Sequence, residues 1–555
     1  MRKAKPTNPY TYSLINAKVP FLSPDVTTKV IPSPVEGWDA ISPLAEMDPK
    51  RAPILNNWVP RPGYVELRGG YVPYASAGSA AVETLMVYRP PGANKMFAAS
   101  GSQISDVSVT GPGTPVLTGL SSARWQYINF DSPVGVHVIQ AVNGVDQLIQ
   151  WDGSSWTNPA ITGLPGSGST NTIINISVQK QRIWFVLNNS TTVAFMPAGA
   201  ITGPIAGTQD FGTLWQLGGY CVAIADWTID GGSGPQDYMA FISNWGEVSL
   251  YSGTDPTSAA TWSLVGTFRI APPIGYRCAL RIGSDVGVIT QMGVVPLSQA
   301  LPFDPSADRS VAITTRIQNA MSQAAMNYQS NFGWELAIYP NQQLLIVNVP
   351  TNTNSTQVQY VMNTLTGAWC QFQGWNANTF AVFNNNLYWG GNSGIVNQGY
   401  IGGSDGTSSI QADMQCAFNW MDEPGRTKRM TMIQPLLSLS SNISPTLAVD
   451  TDFLTSTAIA PITAFVGTVL WDVAKWDVAV WPGTSTIYDS WLSVEAIGHA
   501  MAIRMRVNVT TVTNTVALFD SAQFDISDFD EGLVTTNPVL QINAFNTIAE
   551  LGGAV

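Results

Sequence analysis

Residues 136–156 read VHVIQAVNGVDQLIQWDGSSW, and this stretch decides which fold the middle of the chain predicts. Two turn signals, Asn143-Gly144 and Asp152-Gly153, separate three short runs that are rich in apolar residues. Such pairs between apolar runs are strong hairpin signals, because Asn, Asp and Gly tolerate a positive φ. The stretch therefore predicts a strand, a tight turn, a second strand and a last strand that carries Trp156.

Groups with this order of strands and turns recur between residues 63 and 425. They occupy Glu83–Val109, Arg124–Trp156, Ile173–Met196, Tyr220–Phe268, Arg277–Leu297, Trp334–Phe372 and Phe380–Tyr400. Their spacing of roughly 40 to 60 residues is that of β-propeller blades. We therefore predict an all-β chain in which residues 63–425 form a propeller of about six or seven blades. The strand Tyr64–Tyr74 could complete the last blade. Several separate β-sandwiches are the alternative, since the spacing is irregular.

The two ends of the chain differ from this central region. Residues 1–62 are rich in proline and weakly periodic, which predicts an extended N-terminal arm. Large side chains such as Trp38 and Trp58 are unusual in disordered segments, so we expect the arm to dock on the propeller or on a neighbouring subunit. Renewed alternation predicts a smaller C-terminal β-sandwich-like domain over residues 426–535, followed by a weakly structured tail over 536–555.

One segment inside the propeller region has helical periodicity. Between Asp308 and Tyr328, apolar residues recur at every third or fourth position, and Ser306 is available as an N-cap. This pattern predicts an amphipathic helical insertion near residues 308–328 that packs on the propeller. Either a connecting helix or an interaction element would satisfy the pattern.

The composition is poor in charge and unevenly charged. Of the 555 residues, 45% are apolar or aromatic and only 11% are charged, against about a quarter in typical soluble domains. Such a surface fits a subunit whose faces are buried in an assembly. The net charge is −12, and 12 acidic against 3 basic residues follow Met430, so no nucleic-acid clamp is expected. The basic start, Arg2 to Lys5, leads into prolines, and no run of ~20 apolar residues follows, so neither a signal peptide nor a membrane span is expected.

Residues that could carry catalysis are few and scattered. The chain has only two histidines, His137 and His499, and no pair of cysteines at metal-binding spacing. No nucleophile elbow, phosphate loop or zinc-binding helix motif occurs in the sequence. We therefore predict no catalytic, cofactor or metal site, and not an enzyme. The cysteines are expected to be reduced apolar residues: Cys221, Cys278, Cys370 and Cys416.

Two clusters near the C-terminus are candidates for interaction. Tryptophans recur every five residues, which fits neither one strand face nor one helix face. Their rings could pack internally, bury in a subunit interface or stack on sugars. The acidic cluster is either a solvated edge or an oxygen-rich Ca²⁺ site. The six candidates are Trp471, Trp476, Trp481, Asp525, Asp528 and Asp530.

Several stretches resemble the virion proteins of short-tailed phages (podoviruses). They are Gly37-Trp38-Asp39-Ala40, Pro43–Met47, Ala52, Leu55–Pro60, Gly63–Gly70, Asn363–Trp369 and Leu387–Gly391, together with the Trp-Asp repeat that begins at Trp471. With the all-β sequence between them, these motifs cover most of the chain. The proteins that they resemble are tail nozzle, or tail tube, subunits.

The resemblance implies a structural role in the virion tail, with assembly in the host cytoplasm. It implies a homohexameric ring below the adaptor and head-to-tail connector proteins, with tail fibres or tailspikes as further partners. Genomic DNA would pass through the lumen without tight binding, and we expect part of the acidic excess to face that lumen. The alternatives are a propeller that binds host-surface carbohydrate and a tail-tip glycan depolymerase.

Overall fold

The computed structural model describes residues 25–133, 135–166, 168–230, 235–300, 312–439, 443–454, 460–461, 486–509, 513–517, 531–535 and 539–554. The described chain is almost entirely β-structure. Its first strands are β1 (Asp25–Pro32), β2 (Gly37–Trp38), β3 (Arg51–Ala52), β4 (Ile54–Asn56), β5 (Trp58–Arg61), β6 (Tyr64–Leu67) and β7 (Tyr71–Ser76). No described helix is long and apolar enough to cross a membrane.

Five separate antiparallel sheets follow, which we name blades A to E. Blade A contains β8 (Val82–Tyr88), β9 (Lys95–Ser100), β10 (Gln103–Asp106) and β12 (Thr114–Thr118), with β11 (Gly111–Pro112) before its last strand. Blade B contains β13 (Gln126–Asp131), β14 (His137–Val142), β15 (Ile149–Trp151) and β16 (Trp156–Thr157). Blade C contains β18 (Ile173–Gln179), β19 (Arg182–Leu187), β20 (Thr192–Phe195) and β22 (Gly207–Asp210). A small parallel pair, β17 (Ile161–Thr162) and β21 (Gly203–Pro204), lies beside blades B and C.

The two remaining separate sheets, blades D and E, differ from blades A to C in size. Blade D contains β23 (Cys221–Asp230), β24 (Pro235–Ser243), β25 (Glu247–Gly253) and β26 (Trp262–Arg269). Blade E contains only three strands, β27 (Ala279–Ile282), β28 (Asp285–Thr290) and β29 (Gly293–Pro296). The short helix α1 (Leu297–Ala300) follows blade E.

Two further meanders complete the ring. Blade F contains β30 (Glu335–Tyr339), β31 (Leu344–Asn352), β32 (Thr356–Asn363) and β33 (Trp369–Phe372). Blade G contains β34 (Thr379–Phe383), β35 (Asn386–Gly390) and β36 (Ile395–Gly399), and β7 pairs with β36 as its outer strand. The expectation that an N-terminal strand closes the last blade is confirmed, although that strand is Tyr71–Ser76 and not Tyr64–Tyr74.

The first strands of the blades form the inner wall of the propeller. Contacts join β13 to β18, β18 to β23, β23 to β27, β27 to β30, β30 to β34 and β34 to β8. Hydrogen bonds that Thr84 makes with Ala123 and Trp125 join β8 to the segment that leads into β13. The all-β propeller prediction is therefore confirmed. Five blades are separate sheets, fewer than the six or seven predicted. Blades F and G complete the ring but belong to a larger sheet, because their outer edges pair with N-terminal strands.

Apolar side chains fill the spaces between neighbouring blades. Between blades A and B, for example, Phe97, Trp125 and Trp151 are buried in one cluster. The tryptophan-bearing strands of the sequence pattern thus face the adjacent blade. Removing such a side chain from water stabilises the fold by about 1.5 to 3 kcal/mol, so the blades hold one another in the ring.

The helical insertion is shorter than the sequence predicts. A 3₁₀ turn, Thr315–Ile317, leads into α2 (Gln318–Tyr328), whereas the helix was expected from Asp308. Residues 312–314 are not helical, and Ser306 lies outside the described residues. Met321, Ala324 and Ala325 of α2 are buried against blades E and F. The apolar face of the helix therefore packs on the propeller.

Two packed sheets form the C-terminal β-sandwich. Its strands after blade G are β37 (Ser404–Asp405), β38 (Ser408–Gln415), β39 (Arg426–Leu439), β40 (Thr446–Thr451), β41 (Ala460–Pro461), β42 (Thr486–Tyr488), β43 (Leu492–Gly498), β44 (Met501–Val509) and β47 (Leu540–Ala554). The strands β45 (Thr513–Ala517) and β46 (Glu531–Thr535) form a separate two-stranded sheet. In the first sheet β39 pairs with β42, β43 and β47, and β47 also pairs with β1 and β6. In the second sheet β4, β38, β44 and β40 lie side by side.

The described parts of the expected arm and tail, residues 25–62 and 539–554, therefore differ from the prediction. Within residues 25–62, β1 and β5 belong to the first sheet and β4 belongs to the second. Within residues 536–555, β47 is a 15-residue strand between β39 and β1. Trp58 and Phe545 are fully buried in the same apolar cluster. Residues 25–62 and 539–554 are therefore not appendages, because their strands close the sandwich core.

We expect Phe545→Ala to lower the free energy of unfolding by about 3 to 5 kcal/mol, because it leaves a cavity in the sandwich core. Urea unfolding followed by tryptophan fluorescence measures this. The exposed Asn543, two residues away on β47, provides the matched control: Asn543→Ala should change stability by less than about 0.5 kcal/mol. Equal, small effects of the two substitutions would show that β47 does not belong to the core.

Candidate functional site

The interaction residues predicted from the sequence lie outside the described residues. The candidate sites therefore lie among other residues, in the part of the chain that the structure describes. Three regions carry polar groups that sequence reasoning did not single out: the centre of the propeller, the junction between the N-terminal strands and the sandwich, and a groove on the sandwich. The predicted residues outside the described ranges are Trp471, Trp476, Trp481, Asp525, Asp528 and Asp530.

A cavity of about 250 Å³ lies at the centre of the propeller, where the innermost strands begin. Residues from all seven blades line it, including Asn175, Tyr276 and Thr379. Each innermost strand contributes the residues at its start, so these side chains converge although they are far apart in the sequence. A central cavity with converging polar groups is the usual first candidate for a ligand site.

Arg277 spans this centre. Its Nη2 atom donates to the carbonyl oxygens of Glu83 and Trp125 at 3.0 Å and to Thr84 Oγ1 at 2.7 Å. Its Nη1 atom lies 3.2 Å from Glu335 Oε2 of blade F. One guanidinium thus links the segment before blade E to blades A, B and F. These contacts use both terminal nitrogens of the guanidinium, so Arg277 holds these blades together.

The carboxyl group of Glu335 is the acidic partner in this centre. Burial raises the pKa of Glu335 above its ordinary value of 4.5, although Arg277 and hydrogen bonds from Thr379 and from the Phe380 backbone oppose the rise. Among the residues that line the cavity, Glu335 carries the one carboxylate. A glycosidase needs two carboxyl groups about 5 to 9.5 Å apart, and the lining of this cavity does not supply the second.

Other groups with potential reactivity are held apart. His137 Nδ1 contacts the Asp131 carboxylate in blade B, whereas His499 lies beside Asp452 in the sandwich. The four cysteines are free and buried, and burial raises the pKa of the Cys278 thiol to about 12, far from the thiolate needed for attack. Across the described part of the chain, no three His, Cys, Asp or Glu side chains are grouped to hold a metal ion.

The junction between the N-terminal strands, blade F and the sandwich is built around Arg68. Its side chain is completely buried. Asp405 receives two hydrogen bonds from it, at 2.9 Å and 2.7 Å, and Asn57 Oδ1 receives one at 2.8 Å. The carbonyl oxygens of Gly69 and Gln373 accept the other two. All five guanidinium donors are therefore satisfied, which a buried arginine requires.

Close contacts between backbone segments also fix the Arg68 junction. Gly70 lies so close to the backbone of Ser404 that a Cβ atom at this position would be 2.0 Å from the Ser404 carbonyl oxygen. Asn57 has a φ of 62° and donates from its side chain to the carbonyl of Gln411 at 2.6 Å. Asn363 donates to the carbonyl of Pro60 at 2.9 Å. Residues of two stretches singled out in the sequence, Leu55–Pro60 and Gly63–Gly70, thus meet in one buried site. Asn363, from a third stretch, contacts the first of them.

This architecture defines a β-propeller protein whose terminal strands complete a second, sandwich domain. No protein-family model and no curated protein matches the sequence. Among solved structures, the chain is similar to BBS1N in complex with ARL6DN, with 11% identity, coverage of 60% of this chain and 98% of that chain, and a TM-score of 0.38.

Two further structures extend this comparison. A glycoside hydrolase family 43 arabinoxylan arabinofuranohydrolase from Bacillus subtilis is 9% identical over 89% of this chain and 94% of that chain, with a TM-score of 0.24. PorZ, a surface component of the type-IX secretion system of Porphyromonas gingivalis, is 11% identical over 66% of this chain and 45% of that chain, with a TM-score of 0.33. Similarities this distant carry no argument about activity.

We expect Asp405→Asn to lower the free energy of unfolding by about 3 to 5 kcal/mol, because it leaves the buried charge of Arg68 unpaired. Chemical denaturation measures the loss. Glu495→Gln is the matched control, since Glu495 pairs with Arg429 on the surface and such pairs contribute only about 0 to 1 kcal/mol. The double variant Arg68→Met/Asp405→Asn should lose less than the sum of its single changes. Additive losses would contradict the pairing.

The raised pKa of Glu335 predicts a pH-dependent effect of Glu335→Gln. The unfolded carboxyl ionises near pH 4.5, but the folded one ionises at higher pH. The unsubstituted protein should therefore lose stability as the pH rises above about 4.5 toward the folded pKa, and the glutamine variant should not. Urea midpoints of both proteins from pH 5 to pH 8 test this. A stability difference that stays constant over this range would contradict a raised pKa.

Proposed function

We propose that the chain is a structural subunit of the tail nozzle of a short-tailed phage. The observation that carries the proposal is that two of the resembling motifs, Leu55–Pro60 and Gly63–Gly70, meet at the Arg68 junction, while Asn363 of a third motif contacts the first. Arg68, Asn57 and Asn363 use their polar atoms on backbone and on one another, and none of them faces an open cavity with spare donors. Motifs of that kind preserve a shape, as expected of a subunit that has to fit its neighbours.

The proposal places the path of the genome between subunits. Arg277 and Glu335 cross the centre of the propeller, and the cavity there, of about 250 Å³, has the size of a small-molecule site and not of a passage for duplex DNA. A ring of copies around a common axis would provide the lumen instead. Six copies, bound to adaptor and connector proteins and to tail fibres or tailspikes in the virion, are the assembly that the resemblance implies.

One face of the first sheet of the sandwich exposes several apolar side chains around charged ones, and this supports assembly. Ile497, Arg429, Glu550 and Val26 lie opposite one another across four strands. Ile497 is 60% exposed and Val26 is 58% exposed. Ile487, on the same sheet, is 82% exposed. Isolated exposed apolar residues are ordinary, but several on one sheet face mark an interaction surface.

The acidic excess of the C-terminal quarter is partly used inside the fold. Asp450 is fully buried beside Gln415 and Arg504, and Asp452 accepts from the backbone of His499 and Ala500. Only the remaining acidic side chains are candidates to face a lumen. We infer that the chain is a building block and not a depolymerase, since the central cavity is lined by one carboxylate and that carboxylate is paired with Arg277.

We expect the purified chain to form rings in electron micrographs and to sediment as an oligomer of its 59.5 kDa subunit. Val26→Asp/Ile497→Asp should abolish the rings without changing the circular dichroism of the subunit, because it replaces two exposed apolar side chains of this face with like charges. Met326→Asp, at an exposed position of α2, is the control and should leave the rings intact.

The assembled rings should also bind duplex DNA weakly at low salt. A chain that is monomeric at every concentration, or rings that grip DNA in a salt-sensitive manner, would refute the nozzle proposal.

A further inference from the structure

A groove of about 520 Å³ lies on the second sheet of the sandwich, beside the end of blade F. It lies outside the propeller centre and borders the Arg68 junction, where the backbone of Gln373 accepts from Arg68. Its lining includes Asn56 and Gln373 at one side and Thr446 at the other, with Asp413 and Arg506 between them. These residues come from parts of the chain that are hundreds of positions apart, so the groove exists only in the folded protein.

Strand register arranges the groove floor in rows. Asn56 lies opposite Asp413, Asp413 lies opposite Arg506, and Arg506 lies opposite Thr446. Residues two positions apart on a strand share a face of the sheet, so Gln411 and Asn508, which also lie opposite each other, continue the polar surface. Both of these amide side chains are exposed. The result is a continuous polar floor that spans four strands.

Buried groups hold this floor rigid. Arg504, only 8% exposed, donates to both carboxylate oxygens of Asp413 at 2.9 Å and 2.6 Å. Arg506 Nε donates to the same carboxylate at 3.3 Å, while the side chain of Arg506 is 42% exposed. Within the described residues, the terminal nitrogens of Arg506 have no hydrogen-bond acceptor. A fixed polar surface with unused donors is preorganised for a ligand.

The chemistry of the lining selects the ligand class. Amides, the hydroxyls of Ser444 and Thr446, a carboxylate and a guanidinium offer donors and acceptors side by side. The charges of Arg504 and Arg506 are balanced by those of Asp413 and Asp450, so the groove lacks the positive excess that a phosphate backbone needs. Apolar ligands would require apolar walls. Sugar hydroxyls, which both donate and accept, match this surface.

We propose that this groove binds a glycan through adjacent hydroxyl groups of a sugar ring. Asp413 would accept from one hydroxyl, and the amides of Gln411 and Asn508, with the free nitrogens of Arg506, would bind its neighbours. This site lies on the sandwich, outside the propeller, and does not depend on the ring proposal. A subunit could bind glycan as a monomer or within a ring.

Saturation-transfer NMR on the full chain tests the proposal, with the methyl glycosides of glucose, galactose, mannose and glucuronic acid as probes. We expect transfer to the ring protons of at least one probe. Gln411→Ala/Asn508→Ala should weaken that binding by about fivefold or more, since it removes two hydrogen-bonding amides. Asn543→Ala, which removes an exposed amide from the other sheet, should leave the binding unchanged.

Glucuronate, the acidic probe, tests whether a carboxylate of the sugar contributes to binding in addition to its hydroxyl groups. If glucuronate binds more tightly than glucose, Arg506→Lys should weaken glucuronate selectively, because lysine cannot offer the planar pair of donors. If the neutral sugars bind equally well, the hydroxyl contacts suffice. Absence of transfer to all four probes, or equal binding by the Gln411→Ala/Asn508→Ala protein, would overturn the proposal, as would a ring structure in which a neighbouring copy fills the groove.

Discussion

The buried ion pair between Arg68 and Asp405 is the interaction on which the arrangement of the two domains depends. A guanidinium removed from water is stable only if every donor is satisfied, and here the partners come from the N-terminal strands, the end of blade F and the start of the sandwich. The rings of Phe372 and Trp375 lie within 5.5 Å of the guanidinium. Since no partner can move without exposing this charge, the pair fixes where the propeller meets the sandwich.

A second internal arginine has the corresponding role in the propeller. Arg277 makes its contacts across the centre, so the ring is held by apolar packing between blades and by polar contacts along its axis. This arrangement shows where the few charged residues of the chain are placed. Arg68, Arg277 and Arg504 all pair with carboxylates in the interior or near it, which leaves a surface dominated by uncharged polar groups.

Such a surface has consequences for any function that the protein performs. Uncharged amides and hydroxyls desolvate at lower cost than charges, so faces rich in them can be buried against other subunits or against sugars. The exposed apolar residues on the first sheet and the amide-rich groove on the second lie on different sheets of the sandwich. Under our proposals, the first face would serve assembly while the groove stays open to solvent and to glycan.

The sequence by itself determined the local structure. The blade pattern was legible because hairpin partners lie within a few residues, and Asn143 does hold its turn, since its side chain accepts from the backbone N–H groups of Val145 and Asp146. Only the tertiary structure decided that residues 25–62 and 539–554 pair as strands of the sandwich. Strands as short as β4 carry no periodic signal, and β47 resembles a tail because register shifts break its alternation. The polar clusters around Arg68, Arg277 and Asp413 depend on residues far apart in sequence, which only long-range strand pairing brings together.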